Sequence, residues 1–164
     1  MREAEVKDAP ALARLMNDLE KESNFLLFEP NERQMSAKQA EQMIQNFNSK
    51  ENSTVWLAFD EGRVIGHVTC IGGGVKRNAH CAKVVAGIQR DQQGKGIASS
   101  LLERVKEWAV HSGIHRLELS VMVHNEAAFH VYKKAGFEVE GRLKHSLCVD
   151  GNWIDEYMMA LLLS

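Results

Sequence analysis

The feature that most constrains the fold is a long amphipathic segment between two predicted strands. Its apolar residues recur at helical spacing and end before Gly113, which predicts a helix over 97–112. The apolar face comprises Ile97, Leu101, Leu102, Val105, Trp108 and Ala109. β-Branched and apolar residues predict strands on either side, over 80–88 and 116–123. A strand–helix–strand unit among other strands indicates a mixed α/β fold.

Two further amphipathic helices are predicted near the N-terminus. The first has Asp8 as its N-cap and Pro10 in its first turn. The second begins at a capping box formed by Ser36 and Gln39. Their apolar faces comprise Leu12, Leu15, Met16 and Leu19 in the first and Ala40, Met43, Ile44 and Phe47 in the second. Between the helices lies the apolar stretch 25–30, which we interpret as a plug of the core rather than a wall over a binding cleft.

Strand signals complete the pattern. A hairpin is predicted over 54–60 and 63–71, with Glu61-Gly62 as its turn. Another helix is predicted from Asn125 to Ala135, and the chain closes with a hairpin over 137–149 and 153–162. No linker or repeat divides the sequence, so we expect one domain over residues 1–164.

Composition excludes several classes of protein. With 20 basic and 22 acidic side chains, the net charge of −2 gives no general attraction to nucleic acid or to an anionic membrane. The longest apolar run, 158–163, is far shorter than the roughly 20 residues of a membrane span, and Met1–Glu5 lacks the apolar core of a secretory signal. Three scattered cysteines, Cys70, Cys81 and Cys148, form neither a disulfide framework nor a paired zinc motif. We therefore expect a cytoplasmic protein without a bound metal.

A turn with two glycines directly before the long helix carries the chemistry. Gly94 and Gly96 let the backbone come close to a ligand, and the free amides at a helix start point outward. Together with the positive end of the helix dipole, these amides form a site for a phosphate or pyrophosphate, with Lys95 at its rim. For two isolated glycines alone, a simple tight turn is the preferred interpretation.

Two nucleotide-binding motifs fit this turn poorly. A Walker loop requires Ser or Thr directly after Gly-Lys, but Gly96 follows Lys95. A dinucleotide fingerprint requires a third glycine where Ser99 stands, although Glu118 lies near the distance of its acidic residue. A nicotinamide-dependent oxidoreductase therefore has little support beyond Gly94, Gly96 and Glu118.

A different family signature fits the sequence better than these nucleotide-binding motifs. It consists of two motifs that occur in the expected order, about thirty residues apart. The first, Gln93-x-x-Gly96-x-Ala98, resembles the (Gln/Arg)-x-x-Gly-x-(Gly/Ala) signature of the GNAT superfamily of acetyl-CoA-dependent N-acetyltransferases. The second lies where that family carries its other marker and reads Asn125-x-x-Ala128-x-x-x-Tyr132-x-x-x-Gly136-Phe137. The resemblance covers the whole chain. The region 140–162 is more loosely similar to the ribosomal-protein and polyamine acetyltransferase branches.

The resemblance implies a fold and a cofactor. The fold is a mostly antiparallel sheet whose central parallel pair, here ending near Ile88 and Val121, splays apart at the cofactor cleft. The cofactor is acetyl-CoA, the acetyl donor. Amides of the glycine turn would hold its pyrophosphate, the end of the preceding strand would pair with its pantetheine arm, and Asn125 would hydrogen-bond that arm near the thiol. The residues so assigned are Ala86, Gly87, Ile88, Gln93, Gly94, Lys95, Gly96, Ile97, Ala98, Ser99 and Asn125.

Tyr132 is the general acid that the resemblance implies. Attack of an amine on the thioester expels a thiolate, which leaves more easily when it is protonated. A phenol with a reference pKa of about 10 stays protonated at neutral pH and can donate. Tyr132 also fits the apolar spacing of its helix, so a packing role is the alternative.

The base that accepts the proton of the amine has three candidates. His80 lies at the start of the strand before the glycine turn and has a suitable reference pKa of about 6.5. Glu118 lies on the neighbouring strand, where a carboxylate can face the cleft, and Glu29 lies in the loop between the first two helices. A water molecule can also accept the proton, and each side chain has an ordinary solvated or packed role as its alternative.

The motifs favour an enzyme that transfers acetyl from acetyl-CoA to a primary amine by direct attack in a ternary complex. The acceptor is a small amine or polyamine, an amino-acid-like metabolite, or a protein N-terminus. Acidic residues near the cleft suit a cationic acceptor, and the candidates are Glu29, Glu32, Asp155 and Glu156. The alternative function is a non-catalytic acyl-CoA-binding or sensing domain on the same fold. The family's final hairpin also suggests a homodimer.

Overall fold

Seven strands form one sheet in the computed structural model, which describes residues 1–164. They are β1 (Arg2–Glu3), β2 (Thr54–Asp60), β3 (Arg63–Gly72), β4 (Cys81–Ile88), β5 (Arg116–Met122), β6 (Glu138–Val149) and β7 (Asn152–Leu162). Their order across the sheet is β1-β2-β3-β4-β5-β7-β6. Every neighbouring pair is antiparallel except β4 and β5, which are parallel. The predicted mixed sheet with one central parallel pair is confirmed.

Four α-helices cover parts of the two sheet faces. They are α1 (Ala9–Glu22), α2 (Ala37–Asn48), α3 (Ile97–His111) and α4 (Glu126–Lys134). Helices α1 and α2 pack against β2, β3 and β4 on one face, which we call the α1 side. Helix α3 packs on the opposite face, the α3 side, and α4 contacts the same apolar cluster. None of the helices combines the length and apolar character that a membrane crossing requires.

The predicted helix starts are confirmed, with one difference in detail. At α2, the hydroxyl of Ser36 accepts from the amide of Gln39 (3.1 Å), and the Gln39 side chain accepts from the amide of Ser36 (2.8 Å). At α1, Asp8 occupies the N-cap position but caps no α1 amide. Its carboxylate instead accepts two hydrogen bonds from Arg2 (2.7 and 2.9 Å) and one from the amide of Glu5 (2.8 Å). Asp8 therefore anchors the N-terminal segment as well as starting the helix.

The interpretation of residues 25–30 as a core plug is wrong. The side chains of Phe25 and Leu27 are 40% and 72% exposed, and only Leu26 packs against the α1-side cluster. The ring of Phe25 lies 5.1 Å from the ring of His124, which follows β5. Phe25 thus reaches the residue that follows β5, while Leu27 extends into solvent.

Candidate active site

The central parallel pair separates part-way along its length. Strands β4 and β5 are paired only from Cys81–Arg116 to Lys83–Glu118. Beyond that point Val84–Ile88 of β4 and Leu119–Met122 of β5 have no partner on the facing strand. We call the space between these two segments the gap. Ligands of α/β sheets bind outside the carboxyl ends of parallel strands, which is the end at which this gap opens.

One edge of β4 presents unpaired backbone groups to the gap. The amide of Gln89 donates to Ile65 of β3 (3.0 Å). Because backbone groups alternate along a strand, Ala86 and Ile88 direct theirs away from β3 and towards the gap. An extended ligand can pair with this edge as an additional strand would.

Unpaired amides also lie beyond the end of β4, in the segment 94–99, which we call the amide loop. Gly94 and Gly96 have φ values of 76° and 79°, a conformation that glycine adopts at little cost. No amide of the amide loop donates to a loop or cap acceptor, and those in the first turn of α3 precede any helical partner. The amide loop therefore presents six donors together with the positive end of a 15-residue helix.

The side chains of Gln93 and Lys95 bond to the protein itself. The amide nitrogen of Gln93 donates to the carbonyl of Ile88 (3.1 Å), which ties the amide loop to the end of β4. The ammonium of Lys95 donates to the buried Gln92 (3.2 Å). Both side chains thus brace the loop, and its backbone is the part that is free to bind an anion.

Gly87 serves the close packing of α1 on β4. A Cβ atom at this position would lie 2.6 Å from Cδ1 of Leu19 and 3.3 Å from Nε2 of His67. Glycine at this position therefore lets α1 lie directly on β4. The backbone groups of Gly87 point towards β3 by the same alternation, so the strand geometry does not favour the expected pairing of Gly87 with a cofactor arm.

His67 is a buried histidine on β3, next to the unpaired segment of β4, that no sequence pattern identifies. It is only 5% exposed, lies opposite Gly87 in the β3–β4 register, and its Nδ1 lies 3.0 Å from Oγ1 of Thr69. Burial, together with the charge of Arg33, lowers the pKa of His67 to about 4, so the imidazole is neutral near pH 7. Only the cross-strand register reveals this position, and a single histidine among apolar residues does not signal it.

Helix α4, which follows the open end of β5, carries Tyr132 and begins at its N-cap residue Asn125. Asn125 follows β5 directly and caps α4, with its side-chain oxygen accepting from the amide of Ala128 (3.3 Å). Its side-chain nitrogen has no partner in the protein and can donate to a ligand. Tyr132 packs against the α3-side cluster with its ring 5.8 Å from that of Phe137. Burial raises the pKa of Tyr132 to about 12, so its hydroxyl keeps its proton.

The three candidate bases lie in different places. His80 precedes the paired end of β4, where its carbonyl accepts from the amides of His115 and Arg116, so it lies at the opposite end of the strand from the gap. Glu29 is exposed in the α1–α2 loop, where its amide donates to Glu32 (2.8 Å). Glu118 lies at the last paired position of β5 and accepts from Nε of Arg116 (2.9 Å). Of the three, only Glu118 adjoins the gap.

A groove leads away from the amide loop between α3 and α4. It encloses about 250 Å³ and is lined by Ser99, Ser100, Glu103, Lys134 and Ala135. The two serines belong to the first turn of α3, so the groove continues directly from the amide donors. No sequence pattern identifies this groove, because Lys134 and Ala135 reach it only through the packing of α4.

The profile of the Acetyltransferase (GNAT) family matches residues 13–137, a segment that contains the gap, the amide loop and Tyr132. This chain belongs to the GNAT family of acetyltransferases. Among curated relatives, the L-amino acid N-acetyltransferase AaaT of Escherichia coli is 34% identical over 105 residues, which cover 63% of this chain and 65% of that protein. The chain thus matches slightly less than two thirds of that relative. Ribosomal protein uS5-alanine and spermidine acetyltransferases also match, which confirms the looser similarity to those branches.

Solved structures confirm the GNAT fold. An acetyltransferase of the GNAT family from Streptococcus pneumoniae superimposes with a TM-score of 0.95 at 33% identity, covering 99% of this chain and 98% of that chain. The Salmonella typhimurium protein yncA, whose structure includes its cofactor acetyl-CoA, has a TM-score of 0.89 at 20% identity, covering 99% and 92% of the two chains. The whole chain therefore follows the GNAT architecture.

Proposed function

We propose that this GNAT family member transfers the acetyl group of acetyl-CoA to a primary amine by direct attack in a ternary complex. The observation that carries the proposal is the position of six unpaired amides directly beyond the end of β4, next to the gap. A donor with a pyrophosphate and an extended, amide-containing arm matches both features. In this proposal residues 1–164 form a single acetyltransferase domain, which works in the cytoplasm.

The donor occupies the amide loop and the gap. Backbone amides from Gly94 to Ser99 hold the pyrophosphate, because a helix N-terminus favours a bound anion. The pantetheine arm pairs with the free edge of β4 at Ala86 and Ile88, and the side-chain nitrogen of Asn125 bonds the arm near the thioester. The groove between α3 and α4 gives the rest of the cofactor a path from the amide loop.

Tyr132 protonates the leaving thiolate. The neutral amine attacks the thioester carbonyl carbon, the carbon–sulfur bond breaks as the amide forms, and the sulfur takes the proton of the Tyr132 hydroxyl. The raised pKa of Tyr132 keeps this acid protonated at any pH at which the amine is reactive. The tyrosinate is reprotonated from solvent after the free thiol leaves.

Glu118 or a water molecule removes the proton from the attacking amine. Glu118 is fixed by Arg116, whose guanidinium also binds Glu140 (3.0 Å), so the carboxylate is held at the point where the strands separate. His80 is left out of the proposal because it lies at the other end of β4. Glu29 is also left out because its side chain extends from an exposed loop.

Release of free thiol on mixing acetyl-CoA with a panel of amines tests the proposal. Tyr132→Phe is expected to lower kcat about 100-fold with little change in acetyl-CoA affinity, since acid catalysis contributes roughly 10²–10⁴-fold. Tyr157→Phe is the matched control, because Tyr157 packs against the same α3-side cluster from β7, with its ring 5.3 Å from that of Phe129, and β7 does not line the gap. Full kcat in Tyr132→Phe would contradict the acid role. Acetyl-CoA binding without thiol release on any amine would support the non-catalytic acyl-CoA-binding alternative.

The comparisons leave several classes of amine acceptor open. The relatives are named for L-amino acids, for the alanine N-terminus of a ribosomal protein and for spermidine. All three acceptors present a primary amine, so the proposal is stated at that level. A homodimer formed through the β6–β7 hairpin is part of the same proposal, and sedimentation of the purified protein tests it.

A further inference from the structure

We propose that the acceptor carries a second cationic group and that the carboxylate of Glu156 binds it. The inference rests on the proposed acetyl transfer and narrows its acceptor to a diamine or polyamine. Glu156 acts here as a specificity determinant, since it contacts a part of the acceptor that does not react.

The strand register places Glu156 on the open face beside the gap. Ser120 lies opposite Met158, and Met122 lies opposite Glu156. Residues opposite one another on neighbouring strands share a face, and alternate residues of a strand point to opposite faces. The intervening residues Leu119, Val121 and Met159 all belong to the α3-side cluster. Ser120, Met122 and Glu156 therefore lie on the α1 side.

No helix covers this part of the α1 side. Helices α1 and α2 pack against β2, β3 and β4, and neither packs against β7. The α1 side of β5 and β7 is therefore the face from which an acceptor can approach the gap. Strand spacing puts the Cα of Glu156 about 5 Å from that of Met122, which borders the gap. A short alkyl chain spans this separation.

Glu156 differs from the neighbouring acids in having no cationic partner. Asp155 is bound by Nε of Arg142 (2.8 Å). Glu118 and Glu140 share the guanidinium of Arg116. The recorded partner of Glu156 is a neutral one, the hydroxyl of Ser146 at 2.9 Å.

A half-buried carboxylate without a cation favours the binding of one. Partial burial lowers the dielectric around Glu156 and strengthens its attraction for an ammonium group. The nearest basic side chain on the α1 side of β4, that of Lys83, lies at the closed end of the gap, level with Glu118.

The other three acidic residues considered for binding a cationic acceptor differ from Glu156 in their partners or in their exposure. Asp155 is neutralised by Arg142 and also accepts from the amide of His145 (2.8 Å). Glu29 and Glu32 are exposed in the α1–α2 loop, where the Glu32 carboxylate is engaged by the amide of Glu29. Glu156 is therefore the acid of the four that is placed and free to bind an acceptor.

Two amines of the same chain length test the proposal. 1,4-Diaminobutane and n-butylamine differ only in the second amine, and thiol release gives kcat and KM for each. In the native protein we expect kcat/KM for the diamine to exceed that for n-butylamine by about tenfold or more, the typical value of a charge-assisted hydrogen bond. Glu156→Gln keeps an acceptor for Ser146 and is expected to abolish most of this preference by raising KM for the diamine.

Glu138→Gln is the matched control. Glu138 lies opposite Ala160 on the same side of the sheet, is exposed and has no ion-pair partner, but it lies towards the closed end of the gap. Its substitution removes the same charge and is expected to keep the diamine preference. Thermal unfolding of both variants checks that each is folded.

Each contrary result has a distinct meaning. Equal kcat/KM for the two amines in the native protein, or a preference that survives Glu156→Gln, would overturn the role of Glu156. An equally large fall in kcat for both amines would also overturn it, because Glu156 would then act on the reacting amine. Absence of thiol release with every amine tried would instead contradict the proposed acetyl transfer, and the acceptor proposal would fall with it.

Discussion

Lys83 and Glu118 are the last residues at which β4 and β5 run side by side, and the two strands separate immediately beyond them. The separation leaves the backbone groups of Ala86 and the amide of Ile88 facing open space rather than a neighbouring strand, while the carbonyl of Ile88 accepts from the side chain of Gln93. Unpaired backbone groups inside a sheet are costly unless they bind something else. An extended ligand between the strands would satisfy them, which is how the fold itself creates a binding site.

Substitution of Gly96 is expected to weaken coenzyme A binding as well as stability. Its φ of 79° strains any residue with a Cβ atom, so Gly96→Ala should cost about 1–2 kcal/mol and displace the amides of the amide loop. Gly113→Ala is the control, since Gly113 has a similar φ of 72°, open space around it and a position at the far end of α3. Calorimetry should show at least tenfold weaker coenzyme A binding for Gly96→Ala alone. Equal affinities in the two variants would contradict the role of the amide loop.

Gly87→Ala is expected to destabilise the protein by about 1–3 kcal/mol. The added methyl group would overlap Cδ1 of Leu19 and press on His67, and both side chains are buried. Gly141→Ala is the comparison, because a Cβ atom on Gly141 of β6 meets no atom within 4 Å. Chemical denaturation should show a clear loss in the free energy of unfolding for Gly87→Ala and a change within about 0.5 kcal/mol for Gly141→Ala. Equal stabilities would mean that α1 does not rest on β4 as described.

Acid is expected to destabilise the protein through His67. The pKa of His67 is lowered from its ordinary value of 6.5 to about 4 in the folded state. Between pH 6.5 and pH 4 the imidazole is therefore protonated in the unfolded chain but not in the folded chain. Stability is therefore lost as the pH falls from 6.5 towards 4, by roughly 3 kcal/mol in total. His67→Gln should reduce this slope in urea unfolding curves, whereas the exposed His130→Gln should keep it. An unchanged slope in His67→Gln would show that His67 does not carry the effect.

Tyr132 is expected to resist titration in base. Since burial raises its pKa to about 12, it should stay protonated where an ordinary tyrosine ionises near pH 10. Stability from this group is present below pH 10 and is lost as the pH rises towards 12, because the unfolded chain releases the proton first. The chain has two tyrosines, so Tyr157→Phe leaves Tyr132 as the single absorbing phenol. A tyrosinate transition near pH 10 in that folded variant would contradict the burial of Tyr132.

The elements with strong local signals could be predicted from the sequence. The capping box of Ser36 and Gln39, the turn at Gly94 and Gly96 and the helix that follows depend on residues close in the chain. For the same reason the amides of the amide loop could be named in advance. Local signals therefore predicted these elements and the positions of the unpaired amides.

Features that depend on the register of strand pairing or on the direction of a strand could not be predicted from local sequence patterns. His67 lies opposite Gly87 because β3 pairs with β4 in one particular register, which no local pattern encodes. His80 belongs to the predicted strand, but it lies at the strand's start while the gap opens at its end. Phe25 and Leu27 are apolar and yet exposed, because their part of the α1–α2 loop lies outside the α1-side cluster. Apolar composition alone does not distinguish a core residue from an exposed residue.

Backbone amide chemical shifts of the ¹⁵N-labelled protein, followed while acetyl-CoA is added, test the central claim most directly. We predict saturable shifts of the amides from Gly94 to Ser99, together with those of Ala86 and Ile88. Gly113 at the far end of α3 and Gly151 in the β6–β7 turn should not shift. Saturable shifts confined to other regions, or no shifts at millimolar acetyl-CoA, would contradict the assignment of the gap and the amide loop as the acetyl-CoA site.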